Sequence, residues 1–278
     1  MFSARDRQQY DDQGFLVAPG LFAPTEVSFL LDHYMAMHDR RTLSGEAASM
    51  PEGDPLKRYP RLMQMHRHDP ASLAWLTDPR LDQHLTALLG RSPYAVQTML
   101  YFKPAGARGQ ALHQDQYYLR VQPGTCMAAW LALDDCDEQN GCLFVVPGSH
   151  TWPVLCAVPA DTAVSFTDVT VDLPAGVRPV PVPMRAGDVL FFNGQLVHGS
   201  YPNTSAGRFR RSLIGHYIVG EAEAVYKWYH PALRMDGTPV ELGSSADGGA
   251  CGTWVERDGT PVLEFAGGAA DAPVAGPH

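Results

Sequence analysis

Between Gln110 and Leu119 the chain reads Gln-Ala-Leu-His-Gln-Asp-Gln-Tyr-Tyr-Leu, and the His113-x-Asp115 pair inside it constrains the fold more than any other feature. In an extended strand, side chains at i and i+2 share a face. A strand-like, aromatic context therefore sets an imidazole beside a carboxylate, two of the three ligands of a 2-His-1-carboxylate facial triad that leaves half the coordination sphere of Fe(II) open. The third ligand has to come from far along the chain. His198 fits, because it ends Asp188-Val-Leu-Phe-Phe-Asn-Gly-Gln-Leu-Val-His-Gly-Ser200, an apolar run that reads as one strand delivering an imidazole at its polar end. Alone, a His-x-Asp pair is weak evidence, since surface strands carry such pairs by chance.

The segment after His198 strengthens the case. The chain continues through a turn rich in Pro, Asn, Ser and Gly into Arg208-Phe-Arg-Arg-Ser-Leu-Ile-Gly-His-Tyr217, a strand opened by arginines. A buried arginine one strand beyond a metal site can fork onto the far carboxylate of a dicarboxylic acid chelating that metal. With His113-Gln-Asp115, Glu138-Gln-Asn-Gly-Cys-Leu-Phe-Val-Val-Pro-Gly-Ser-His150, His198-Gly-Ser200 and Phe209-Arg-Arg-Ser-Leu-Ile-Gly-His-Tyr217 in this order, the chain resembles the phytanoyl-CoA dioxygenase family of Fe(II)/2-oxoglutarate-dependent oxygenases. The likeness runs from about Tyr10 to Tyr217.

The resemblance implies Fe(II), 2-oxoglutarate as co-substrate and O2, with succinate and CO2 released as an unactivated C–H of a small organic substrate is oxidised. It implies His113, Asp115 and His198 as the catalytic metal ligands, Arg210 on the distal carboxylate of 2-oxoglutarate, Ser200 as an added hydroxyl donor and Trp130 in the same pocket. Gln97 and Lys103 fall on a strand the family uses near the co-substrate, where a structural role is equally open. The register of the arginine needs argument, because the family's usual spacing from the distal histidine falls on Phe209. Counting back from His216-Tyr217 is sounder, since a turn absorbs an inserted residue whereas a strand that takes one flips faces. Arg208 then shares a face with Arg210, and Arg211 points away. Related halogenases carry a small residue where Asp115 stands, so the carboxylate implies an oxygenase. His150 and His216 read as supporting or core histidines, the ligand trio being complete without them. Strand alternation turns Gln114 away from the metal.

At 278 residues and 45% hydrophobic the chain has ample material for one core. We expect a single oxygenase domain over residues 1–278, with a helical N-terminal cover to about 94, a core to about 220 and a C-terminal extension beyond. A formal net charge of −9 argues against affinity for nucleic acid or anionic membrane, both polyanions. No stretch has the apolar length of a signal sequence or a membrane span, so a cytoplasmic protein with a small-molecule substrate is expected, its oligomeric state left open. The five cysteines, an odd number without a Cys-x-x-Cys pair, read in a reducing compartment as free thiols packed like small hydrophobes, not as a disulfide framework.

Asp11 to Phe22 reads as a helix end at Gly14 followed by a short strand, and Ala23 to Met37 as a helix with Pro24 and Glu26 in its first turn. Thr42 to Lys57 lacks any period and reads as a loop near the site. His66 and His68 lie ahead of the sheet without a third partner, so ligation by them is not expected. Two short helices come next, the second closed by Gly90. From Ala95 short strands alternate with Gly/Pro turns. Cys126 to Asp134 suits burial on both faces, Thr151 to Pro174 a long variable loop that meets the substrate, and Arg178 to Met184 an edge strand by its prolines. Tyr117, Tyr118, Arg120, Trp152 and Tyr226 to His230 are available to the substrate pocket. Asp236-Gly-Thr-Pro239 and Asp258-Gly-Thr-Pro261 read as one turn used twice, and the Gly/Ala-rich end after Phe265 as disordered. The fold class expected is mainly β with flanking helices, a double-stranded β-helix (jelly-roll, cupin-like) core.

Two other readings stand beside the oxygenase. A His/His/Asp set also suits a zinc-dependent hydrolase, and a jelly-roll can be a catalytically inactive binding protein.

Overall fold

The computed structural model describes residues 2–40, 52–246 and 249–266. The entry helix α1 (Ala4–Gln13) begins with a reciprocal cap in which Ser3 Oγ accepts from Asp6 N and Asp6 Oδ2 accepts from Ser3 N, and it ends at Gly14 with φ +82°, a left-handed turn that glycine adopts without strain. Strand β1 (Phe15–Ala18) is next, then α2 (Pro24–Asp39), which buries Val27, Leu30 and Tyr34 on one side. Beyond these come β2 (Leu62–Met63) and the helices Pro70–Leu76 and Pro79–Leu89, the last burying Leu81, Leu85 and Leu88. That spacing is a single helical stripe.

The core strands are β3 (Tyr94–Lys103), β4 (Gln110–His113), β5 (Cys126–Ala132), β6 (Leu143–Val145), the small pair β7 (Val158–Pro159) and β8 (Val169–Thr170), β9 (Val180–Val182), β10 (Val189–Asn193), β11 (His198–Ser200) and β12 (Arg210–Ile218). After them β13 (Ala224–Val225) pairs with β16 (Gly243–Ser244), and β14 (Ala232–Leu233) with β15 (Pro239–Val240) extends the large sheet. That sheet has eight strands in the order β1-β10-β5-β12-β3-β14-β15, with β2 on β3; the small sheet is β4-β11-β6-β9. β9, with Pro181 inside it, sits at an edge as its prolines require.

Alternation along β5 explains the layering. Met127, Ala129 and Leu131 join the cluster under the helices, whereas Ala128, Trp130 and Ala132 join the cluster between the two sheets with Leu143, Val145 and Val182. The other central strands divide the same way: Val189, Phe191, Leu213 and Tyr217 face the helices, and Leu190, Phe192 and Ile214 face inward. The space between the sheets is where polar side chains from β3, β4, β11 and β12 converge. The architecture is the mainly β, two-sheet jelly-roll that the sequence led us to expect. Among the described residues no helix is long and apolar enough to cross a membrane.

Four expectations need correction. Asp188 to Ser200 is not one strand: β10 belongs to the large sheet and β11 to the small one. The break is an Asx turn in which Asn193 Oδ1 accepts from Gln195 N, and a Cβ on Gly194 would lie 2.0 Å from Cys126 Sγ. Crossing there carries His198 into the gap between sheets. Thr42 to Lys57 lies outside the described residues up to 51, but its end forms a one-turn helix, Pro55–Arg58, capped by Asp54 through Leu56 N. Thr151 to Pro174 is not bare loop, because β7 and β8 pair within it.

The fourth correction concerns the cysteines. Cys126, Cys136 and Cys142 are buried thiols, but Cys156 and Cys251 form a disulfide across 95 residues of chain. A terminal hairpin, β17 (Gly252–Arg257) and β18 (Thr260–Phe265), brings them together. Gly252 bridges Leu155, Trp254 packs edge-on against Trp152 at 5.2 Å, and Leu263 packs with Leu155 and Val197. Both Asp-Gly-Thr-Pro repeats are hairpin turns as expected, joining β14 to β15 and β17 to β18. Residues 267–278, expected to be disordered, lie outside the described residues.

Candidate metal centre

His113 is the last residue of β4, and it pairs directly with His198, the first of β11. Asp115 is already off the strand: its φ of −61° and ψ of −33° are helical, and it opens the short helix Gln116–Leu119. The expected face-sharing is present, yet strand alternation is not its cause. Gln114 turns away and is consumed by backbone. Its Nε2 donates to Pro153 O at 3.1 Å and Gln195 O at 2.7 Å, and its Oε1 accepts from Leu155 N at 2.7 Å.

Asp115 Oδ1 lies 3.7 Å from His113 Nε2 and 3.7 Å from His198 Nε2, and all three residues are buried. Among the described residues this is the one group of His, Cys, Asp or Glu side chains close enough to share an ion. Each ligand histidine is oriented alike. His113 Nδ1 meets Ala111 O at 2.9 Å and His198 Nδ1 meets Leu196 O at 2.9 Å, so the proton belongs on Nδ1 and the lone pair on Nε2. Burial, and next the neighbouring His198, push His113 down to about 3. For Asp115 burial acts in the opposite sense, but the imidazoles of His198, His216 and His113 outweigh it and hold the carboxyl well below its ordinary range. With the Nδ1 proton of each histidine committed to a carbonyl, two Nε2 lone pairs and one carboxylate oxygen converge, a donor set that suits a divalent iron or zinc.

The inner face of β12 carries Arg210, Ser212, Ile214 and His216 in alternation. Arg210 is 2% exposed; its Nε donates to Gly141 O at 3.0 Å, its Nη1 to Ser212 Oγ at 2.7 Å, and its guanidinium stands 5.4 Å from the centre of the Trp130 ring. Arg208 is on the surface with Asp137, and Arg211 is paired with Asp134. Of the three arginines only Arg210 enters the space between the sheets. Lys103, its partner in register on β3, is also buried, and burial followed by the charge of Arg210 lowers its amine well below the ordinary range. Its Nζ donates to Ser200 Oγ at 2.7 Å and Tyr201 O at 2.6 Å. Ser200 Oγ accepts from Gln110 N as well, at 3.2 Å. With both acceptor positions of the hydroxyl used, its own proton is left to donate. Gln97 is buried on β3 opposite His216.

Reasoning from sequence overlooked three residues of this neighbourhood. Gln110 Nε2 lies 3.2 Å from His113 Nε2; Ser212 follows from alternation two residues beyond Arg210 and could have been found. Gly141 supplies the carbonyl for Arg210 at φ +91°, where a Cβ would stand 2.5 Å from Lys103 Cδ and 2.7 Å from Tyr201 O. His66 donates or accepts at Thr98 Oγ1 and stays clear of the centre, as expected. His216 Nε2 reaches Asp115 Oδ2 at 3.1 Å, and His150 Nε2 meets Asp11 O at the surface.

Beside the cluster a small cleft joins His113, Tyr117, Tyr118 and Ala157. Tyr117 and Ala157 also border a cavity of about 400 Å3 walled by Gln116, Arg120, Val154 and the Cys156–Cys251 disulfide. Tyr226 and Tyr229 are core residues instead, packed with Val96, Leu119 and Ile218, and Trp228 is exposed. Trp152 packs on the terminal hairpin.

The phytanoyl-CoA dioxygenase (PhyH) family model matches residues 10–212. Phytanoyl-CoA dioxygenase 1 of Oryza sativa subsp. japonica is 31% identical over 161 residues, 56% of this chain and 56% of that protein. Phytanoyl-CoA dioxygenase domain-containing protein 1 of Mus musculus is 32% identical over 185 residues, 63% of each. The chain thus spans somewhat over half the length of these relatives. Among solved structures, the epimerase SnoN in complex with Fe3+, alpha ketoglutarate and nogalamycin RO superposes with a TM-score of 0.63 at 20% identity, over 94% of this chain and 97% of that one.

Proposed function

The chain belongs to the phytanoyl-CoA dioxygenase family, and from that premise we propose that it is an Fe(II)- and 2-oxoglutarate-dependent oxygenase oxidising an unactivated C–H of a small organic molecule, with succinate and CO2 as co-products. One observation carries this reading. A His/Asp/His cluster and a buried arginine backed by tryptophan occupy the same space between the sheets. A zinc hydrolase would account for the cluster and leave Arg210 without a purpose.

Bound iron supplies the centre at which 2-oxoglutarate and O2 react. The chain's own residues do the rest. His113, Asp115 and His198 would hold the metal through Nε2, Oδ1 and Nε2. Arg210 would fork onto the far carboxylate of the co-substrate, its plane fixed by Trp130, Gly141 O and Ser212, and Ser200 would add its free proton. Lys103 keeps Ser200 in place and joins the two sheets behind it. The cavity of about 400 Å3 bordered by Tyr117, Arg120 and Ala157 would seat the substrate, and the narrow cleft at Tyr117 and Tyr118 lies between it and His113.

We place the substrate among small natural-product intermediates; the Cys156–Cys251 disulfide stands against the reducing cytoplasm expected from the sequence. The solved relative with nogalamycin RO bound supports the substrate class, and no basic cluster suited to a CoA pyrophosphate stands before the first core strand. The test is direct: reconstitute metal-free protein anaerobically with Fe(II), add 2-oxoglutarate and air, and follow succinate. Succinate formation that requires both is expected. Hydrolytic activity with zinc and no succinate with iron would overturn the proposal, and neither activity with any metal would point to a binding protein.

A further inference from the structure

We propose that His216 is the positioning residue of the carboxylate ligand: by donating from Nε2 to Asp115 Oδ2 it holds that oxygen off the metal and leaves Oδ1 as the single ligand atom. The inference rests on the metal-centre reading above. Asp115 needs such a partner, because it stands two residues past the end of β4, where the backbone is helical and the carboxylate caps nothing. Left to rotate, a carboxylate can offer either oxygen or both. Oδ1 is equidistant from the two ligand nitrogens at 3.7 Å, so it completes their triangle, and Oδ2 is 3.1 Å from His216 Nε2. His216 is 3% exposed and sits on β12, which is laddered on both sides by β3 and β5. His216 is thus set in a strand paired on both sides, whereas Asp115 stands on a turn beyond its strand.

The tautomer is set by the same contacts. An ionised carboxylate only accepts, so the shared proton must be on His216 Nε2. Nδ1 is then a lone pair, and among the described residues it is buried without a hydrogen-bond partner; a proton there would be a buried donor with nothing to receive it, the costlier arrangement. Moreover, His216 and Arg210 share the inner face of one strand. β12 therefore sets the metal's carboxylate and the arginine in register with each other, so that a shift of this strand would disturb both together.

The test uses full-length, metal-free protein and Co(II), whose visible absorption reports both affinity and geometry. His216→Leu removes the donor and is expected to weaken Co(II) binding by about 10–100-fold and to change the band shape. His216→Gln, which keeps an N–H, is expected to recover most of the affinity. Leucine and wild-type proteins with equal affinity and identical spectra would overturn the proposal. Should His216→Leu not fold, 15N NMR of the imidazoles in wild-type protein decides: the Nε2–H tautomer supports the assignment and the Nδ1–H tautomer refutes it. Wild-type protein that binds no Co(II), or an Asp115→Ala protein that binds it unchanged, would instead sink the metal-centre reading itself.

Discussion

Asp115 can serve as a ligand because its carboxyl is held below its ordinary range beside His113, whose imidazole burial keeps neutral, and the three groups act as one set. His113→Ala, Asp115→Ala and His198→Ala are each expected to abolish iron-dependent succinate formation while circular dichroism stays that of the wild type; normal turnover in any one would remove that residue from the set. If Arg210 holds the co-substrate as proposed, Arg210→Ala removes a buried charged contact of about 2–5 kcal/mol. The apparent KM for 2-oxoglutarate is then expected to rise well over tenfold. Arg208→Ala and Arg211→Ala, which break an exposed pair with Asp137 and a half-buried one with Asp134, should leave it within a few-fold, and a large rise for Arg208→Ala alone would mean that the wrong arginine has been chosen. The convergence of the trio and the burial of Arg210 were legible, because their chemistry is unusual for buried positions and their spacing restricts the alternatives. Asp115 was read onto the right face for the wrong reason. Period-two alternation cannot see that the strand stops at His113, because that depends on Gln114 finding three backbone partners remote in sequence.

The elements were legible wherever one residue type terminates them: Gly14 and Gly90 close helices, Pro181 marks an edge, and each Asp-Gly pair makes a hairpin turn. They were illegible where hydrophobicity ran through a boundary. Asn193-Gly194 is a strong turn signal in its own right, but the apolar residues on both sides suggested one strand where there are two in different sheets. The disulfide was hidden for another reason. Nothing local links Cys156 to Cys251, and only docking of the hairpin brings them within reach. That docking is testable. Opening the disulfide by Cys251→Ser should cost about 2–4 kcal/mol and lower the melting temperature by roughly 5–10 °C, with faster amide exchange confined to residues 152–157 and 252–265. An unchanged melting temperature with and without a dithiol reductant would show that the hairpin stays docked without its covalent link.

For the whole molecule, acid is the natural stress. His113 is depressed to about 3 and His66 to about 4, both chiefly by burial, so the unfolded chain binds more protons than the folded one as pH falls below the ordinary histidine value of 6.5. Stability contributed by their neutral forms is present above that pH and is lost progressively toward pH 3. Asp115, held below its ordinary range, adds a loss of the same sign lower still. Urea midpoints of the metal-free protein measured from pH 7 to 4 should therefore fall steadily, and a flat profile would contradict the burial of these groups. The family match ends at residue 212, whereas one wall of the cavity beside Tyr117 is built by residues 249–251. The hairpin there is fastened to residues 152–156, the same segment that Gln114 and Gln195 grip from the two ligand-bearing turns. A lineage of such proteins could exchange its last few dozen residues and acquire a new diet, the reaction itself passing unchanged from ancestor to descendant.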